Sequence, residues 1–200
     1  MTKIRKVSLV FITLCGFMNT LQEAGCALNG AGSKPNILII FTDDQGINDV
    51  GCYGSEIPTP NIDRLAASGA IFENSFCGNS ICGPSRATIM TGKHSHKNGF
   101  LRNSGRGLDQ SQWTLSKALN GAGYNTAVIG KWHLVSNPVG FDYWEILPGQ
   151  GNYYNPVFLQ MDGSKKQFTG YCTDITTDKA IKWLDQRDKE KPFFLMCQHK

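Results

Sequence analysis

The sequence contains no C-x-x-C pair, so zinc ribbons and thioredoxin-like redox chemistry are not indicated. It is short of charge. Only 18% of residues are Asp, Glu, Lys or Arg, below the roughly 25% of a typical soluble domain, and with few charges disorder is not indicated either. No stretch repeats internally. The one long apolar run, residues 7–18, is too short to span a bilayer. Nor is there a large excess of one sign of charge: the net value is +4 over 200 residues, and nothing in that balance calls for nucleic acid. What remains is a chain with 40% hydrophobic residues, suited to one globular unit or to part of a larger one.

The amino terminus has its own character. Lys3, Arg5 and Lys6 precede the apolar run, and small residues follow at 24–27. That order is that of a secretory signal, giving residues 1–26 as a signal peptide and 27–33 as a linker. The protein is expected to be exported, to the periplasm or the cell surface. "EAGC" at 23–26 resembles a bacterial lipobox, although Glu23 stands where an apolar residue is usual, so Cys26 is a candidate for a lipid anchor. Loss of residues 1–26 removes three basic residues and one acidic, and +4 becomes +2. Cys15 and Cys26 leave with that segment. Five cysteines remain, Cys52, Cys77, Cys82, Cys172 and Cys197. A Cys52–Cys77 disulfide is conceivable in an exported protein, but sequence alone cannot pair them.

Strand and helix signals alternate along the rest. "NILIIF", residues 36–41, is a β-branched apolar run of the kind buried on both faces of a sheet. "TPNIDRLAASG" reads as a helix with Thr59 as N-cap, Pro60 in the first turn, Ile62, Leu65 and Ala66 on one face and Gly69 as terminator. "TLSKALNGAG" is a second short helix, and "TAVIG" after it a strand. "TDITTDKAIKWLDQRD" is a longer helix with Ile181 and Leu184 inward, followed by the buried strand "PFFLMC". The stretch 135–169, rich in Gly, Asn, Tyr and Pro, reads as one long connection. Helices between strands imply an α/β fold with a mostly parallel sheet sandwiched by helices.

In such a sheet, ligands bind beyond the carboxyl ends of the strands. After the first strand come Asp43 and Asp44. Adjacent carboxylates repel, so a solvated turn is one reading and a bound cation the other. After "TAVIG" come Lys131, Trp132 and His133, placing an ammonium and an imidazole in the same kind of position. Between them lies "SICGPSRATIMTGK", residues 80–93, with Cys82, Pro84 and Arg86 opening a helix that Thr91 and Gly92 close. A cysteine at a helix start suggests an activated thiolate. Such a thiolate needs a base, and none is local. His94 and His96 follow that helix, where a cation suits the dipole.

Taken together, these three segments resemble the sulfatase family of the alkaline phosphatase superfamily. "CGPSRATIMTG" is similar to the family's first signature, "GYNTAVIGKWH" to its second, and "KPNILIIFTDDQG" to its N-terminal strand and metal-binding pair. The resemblance covers nearly all of 34–200. It implies that Cys82 is oxidised after translation to formylglycine (3-oxoalanine) by a formylglycine-generating or anaerobic sulfatase-maturing enzyme that recognises Cys-x-Pro-x-Arg. The hydrate of that aldehyde would offer one hydroxyl to attack sulfur and keep a second to release the product.

The same resemblance implies the remaining roles. Asp43, Asp44 and the modified Cys82 would be calcium ligands, and Arg86 would hold the hydrate and a metal-bound carboxylate. Lys131 would contact sulfate oxygens, and His133 would act as base. Family members are longer, so residues 34–200 would be the N-terminal portion of the catalytic domain. Further metal ligands, a substrate lysine and the leaving-group histidine would then lie beyond residue 200. His199 is carried as a neighbour of the substrate site.

Residues 140–158, "GFDYWEILPGQGNYYNPVF", resemble bacterial sulfatases that remove 6-sulfate from N-acetylglucosamine in mucin or heparan-type chains. Gln150 and Asn152 could bond sugar hydroxyls, and Tyr143, Trp144, Tyr153 and Tyr154 could stack on sugar rings. The alternatives are a phosphonate monoester or phosphodiester hydrolase of the same superfamily, and a non-catalytic glycan-binding relative.

Overall fold

The computed structural model describes residues 34–200, so the signal peptide, the linker and the Cys26 anchor lie outside the described residues. The described chain forms two compact units. One is Asp44–Phe76, the other residues 34–43 with Cys77–Lys200.

The smaller unit holds two 3-10 turns, Ile47–Asp49 and Gly51–Tyr53, and helix α1, Pro60–Ser68. Pro60 starts α1 as its missing N–H allows. Thr59 precedes it but caps no helix amide. Its hydroxyl donates to Asp63 (2.9 Å) and accepts the Gly51 N–H (2.8 Å), tying the helix to the preceding turn. Ile62 and Leu65 do not form an inward face: they are exposed, and α1 has no buried residue.

The larger unit is built on a six-stranded sheet in the order β1-β6-β2-β3-β4-β5. Its strands are β1 Ile37–Phe41, β2 Asn125–Lys131, β3 Tyr143–Leu147, β4 Val157–Gln160, β5 Lys165–Gln167 and β6 Phe193–Gln198. Its helices are α2 Cys82–Thr91, α3 Ser95–Asn98, α4 Leu115–Gly121 and α5 Cys172–Gln186. β1, β6, β2 and β3 run parallel, while β3–β4 and β4–β5 are antiparallel. The stretch 135–169 is therefore not one connection. It carries three strands that widen the sheet, the last being three exposed residues, Lys165, Lys166 and Gln167.

The sheet is covered on both faces at its centre, as alternation along each strand requires. One face carries Val128, Phe194 and Met196 against Ala87 and Met90 of α2, with Leu115 and Leu119 of α4 packed alongside. The other carries Ala127, Ile129, Leu195 and Cys197 against Ala180, Trp183 and Leu184 of α5. Ile181 is not inward but 52% exposed. It follows Ala180 by one position, a rotation of about 100° around the helix axis. β2 and β6 are buried on both faces, as their apolar runs imply. β1 departs from that pattern. Among the described strands it pairs only with β6, and Leu38 and Ile40, in register with Leu195 and Cys197, are exposed.

Candidate active site

The carboxyl ends of β1, β2 and β6 lie side by side, and α2 begins beside them. Arg86 sits one turn into α2, 2% exposed. Its guanidinium donates to the Lys131 carbonyl (2.5 Å), to Oε1 of Gln198 and to Oδ1 of Asp43 (3.1 Å), and it lies 4.9 Å over the Phe41 ring. A planar fork of donors suits this convergence of acceptors from three strands. Lys131, also buried, donates its ammonium to the second Asp43 oxygen. Burial by itself would raise the Asp43 pKa, but the hydrogen bonds and charges of Lys131 and Arg86 outweigh it. The carboxyl is held below its usual range and stays ionised.

Cys82 is the first residue of α2, and its Sγ lies 3.1 Å from Nδ1 of His133. The base absent from the local sequence is therefore supplied by the segment after β2. Burial lowers the His133 pKa, and the nearby positive charges of Lys131 and Arg86 lower it further against the opposing charge of Asp43. The imidazole is accordingly neutral near neutral pH. His133 adopts φ 54°, a left-handed conformation uncommon for a non-glycine residue and typical of constrained sites.

The structure thus brings together Asp43, Cys82, Arg86, Lys131 and His133. Asp44 is in the smaller unit, at φ 54°. Gln150 and Asn152 line a separate open cavity of about 360 Å³ with Pro148, Gly151 and Val157. That loop follows β3, whose last residue, Leu147, is in register with Lys131. His199 extends the sheet through its N–H to the Phe41 carbonyl (2.8 Å), and its ring lies 3.6 Å from Cys197 Sγ. Gln198, by contrast, turns to Arg86.

Trp144 is 6% exposed in the core and has no face to offer a sugar. Tyr143 is half-buried and hydrogen-bonded to Glu145, with its hydroxyl pKa pushed well up by burial first and the Glu145 charge second. Tyr153 and Tyr154 are exposed. Tyr153 lies under the Lys200 ammonium, and Tyr154 packs on Tyr171 at 5.2 Å. Among the described residues, all five cysteines are free thiols, Cys52 and Cys77 included.

Two site residues escaped sequence reasoning. Gln198, 1% exposed, is the polar end of an otherwise apolar strand, and that break was its only signal. Asn103 donates from Nδ2 to Cys82 Sγ (3.1 Å) and accepts the Gly83 N–H through Oδ1 (2.9 Å). Nothing in "FLRNSGRG" marks it.

Comparison with known proteins agrees with this geometry. The family model described as Sulfatase matches residues 35–198. An N-acetylglucosamine-6-O-sulfatase of Bacteroides thetaiotaomicron is 50% identical over 84% of this chain and 30% of its own length. Human N-acetylgalactosamine-6-sulfatase is 32% identical over 86% of this chain and 40% of its own. A solved structure of a protein in complex with its substrate D-glucosamine-2-N,6-O-disulfate superposes with a TM-score of 0.81 at 50% identity, over 84% of this chain and 34% of that one. The chain therefore spans between 30% and 40% of the length of these relatives. The mixed sheet covered by helices on both faces is the alkaline phosphatase-like α/β fold of those neighbours, and the chain belongs to the Sulfatase family.

Proposed function

We propose that the full-length protein is an exported sulfuric ester hydrolase that removes 6-sulfate from N-acetylglucosamine units of mucin or heparan-type glycans. The observation that carries this reading is the Cys82–His133 pair at the start of α2, beside a buried Asp43–Arg86–Lys131 cluster. The two relatives named above are both 6-sulfatases of N-acetylhexosamines, which favours a 6-sulfate. The higher identity to the glucosamine enzyme favours the gluco epimer. Export rests on the order of charge, apolar run and small residues at the amino terminus. Among the described residues no helix is long and apolar enough to cross a membrane.

The residues present suit the groups that this chemistry requires. Asp43 contributes a carboxylate that its neighbours keep ionised, an oxygen donor of the kind a hard cation such as calcium prefers. The position-82 side chain lies between the nitrogens of His133 and Asn103, a polar setting suited to the oxygens of formylglycine. When present, formylglycine supplies a hydroxyl nucleophile with a second hydroxyl for product release, and calcium offsets the anionic charge of nucleophile and sulfate.

This chain's own residues would do the rest. His133 is neutral, so its Nδ1 can take the proton of the residue-82 side chain. Lys131 brings an ammonium to the same edge, where a sulfate ester needs positive charge. Arg86 locks Asp43 and the ends of β2 and β6 in one geometry. Gln150 and Asn152 offer amides to sugar hydroxyls in the neighbouring cavity.

The test uses full-length protein matured by a formylglycine-generating or anaerobic sulfatase-maturing enzyme. Sulfate release is measured on 6-sulfated N-acetylglucosamine, 6-sulfated N-acetylgalactosamine, 6-sulfated galactose and a phosphodiester. The expected result is fastest turnover of 6-sulfated N-acetylglucosamine, reduced by more than about a thousandfold in Cys82→Ala. Equal or faster cleavage of the phosphodiester or of sulfated galactose would overturn it.

A further inference from the structure

We propose that Asn103 is a positioning residue that bridges the first turn of α2 to the nucleophilic atom carried by residue 82, directing the proton of that residue toward His133. The inference rests on reading residue 82 as the nucleophile.

Helix α2 starts without a side-chain cap of its own, because the residue before it is Ile81. Its first amides would be left without acceptors. Asn103 supplies one from outside the helix: Oδ1 accepts the Gly83 N–H at 2.9 Å. An N–H can only donate, so the carbonyl end of the Asn103 amide must face Gly83. The orientation of the side chain is thereby fixed, and the NH₂ end points at Cys82 Sγ, 3.1 Å away.

The consequence concerns protons. The Asn103 NH₂ cannot accept one, so it occupies a lone pair of the atom on residue 82. The other polar neighbour, Nδ1 of His133 at 3.1 Å, is the ring nitrogen placed to accept the proton of residue 82. One neighbour donates and the other accepts, and the side chain has a single favoured orientation. The surrounding packing is cut to admit the bridge. A Cβ on Gly83 would come within 2.7 Å of Asn103 Oδ1, 2.8 Å of a Phe100 ring carbon and 3.1 Å of the His133 carbonyl. Glycine at position 83 is what lets all three approach.

Asn103→Asp separates the two halves of the bridge: it keeps an acceptor for Gly83 but replaces the donor with an anionic oxygen. In full-length protein made without a maturing enzyme, Cys82 stays a thiol. Its iodoacetamide alkylation is followed by site-resolved mass spectrometry, with the exposed Cys77 as internal reference. The variant is expected to slow alkylation of Cys82 about tenfold, because an added negative charge disfavours the thiolate, and to leave Cys77 unchanged. In matured protein, kcat is expected to fall by about a hundredfold, as for loss of a donor to a developing anion, with KM within about twofold, the pattern of an interaction made in the transition state. Asn103→Ala adds no charge and decides the matter on kcat if the Asp variant does not fold. Wild-type alkylation together with wild-type kcat in the folded variants overturns the inference. If matured wild-type protein releases no sulfate from any sugar while alkylation still falls in Asn103→Asp, the bridge stands and the sulfatase reading is what fails.

Discussion

Val135 is a β-branched residue at φ 65°, and it is 59% exposed. A β-branched side chain in the left-handed region is strained by roughly 1–3 kcal/mol, and exposure means that little packing offsets the strain. The loop is held in that shape by its neighbours. Trp132 donates to the Ser136 carbonyl (2.7 Å), and the Leu108 N–H reaches the Leu134 carbonyl (3.0 Å). Val135→Gly should therefore stabilise the protein by about 1 kcal/mol after the extra backbone entropy of glycine is subtracted. Val135→Ala keeps a Cβ and should gain little. Thermal unfolding of the two variants checks this; equal midpoints would show that the strain is not relieved at Cβ. Two thiols give a second expectation at this scale. Burial pushes Cys197 up to about 11 and raises Cys172 as well, so at pH 8 both should alkylate more slowly than Cys77 under native conditions, with denaturant abolishing the difference.

At the scale of the element, the pairing of β2 with β6 depends on one atom's absence. Gly130, at φ 106°, is in register with Gln198, and a Cβ on it would sit 1.9 Å from the Gln198 carbonyl oxygen. That neighbour is backbone and cannot swing aside. Gly130→Ala should push the two strands apart beside Lys131 and Gln198, costing more than about 3 kcal/mol. Gly149, at φ 56° with nothing near its would-be Cβ, bears only the conformational strain, and its Ala variant should lose about 1 kcal/mol. Urea midpoints of the two proteins measure the gap, and similar losses would refute the steric argument.

β2 and β6 were legible in the sequence because central strands are buried on both faces and read as continuous apolar runs. β5 was not, since "KKQ" has no strand character of its own and is extended because β4 pairs with it. Ile62, Leu65 and Ile181 misled for a related reason: apolar spacing reports that a face exists, and only the neighbouring elements decide whether it is covered.

At the scale of the molecule, the candidate site was legible where a residue's place in the fold already gave it a role. Asp43 and His133 follow strands, Lys131 ends one, and Cys82 and Arg86 open a helix, so an α/β topology carries all five to one edge of the larger unit. Gln198 and Asn103 were not legible, because a strand's last residue and a loop amide acquire meaning only through contacts distant in sequence.

Arg86 tests how far that edge acts as one structure. It is a cation 2% exposed whose fork reaches Asp43 after β1, the Lys131 carbonyl ending β2 and the Gln198 side chain ending β6, so one side chain joins α2 to three strands. Arg86→Lys keeps the charge but replaces the planar fork with one ammonium on a shorter reach, which can serve one or two of those acceptors. The buried groups left without donors should cost about 3 kcal/mol, in the range found when a buried pair is broken. Against a total stability of roughly 5–15 kcal/mol, that loss should be plain as a drop in the urea midpoint with an unchanged slope. A loss below about 1 kcal/mol, as for an exposed ion pair, would show that the three strands and α2 hold their places without the fork.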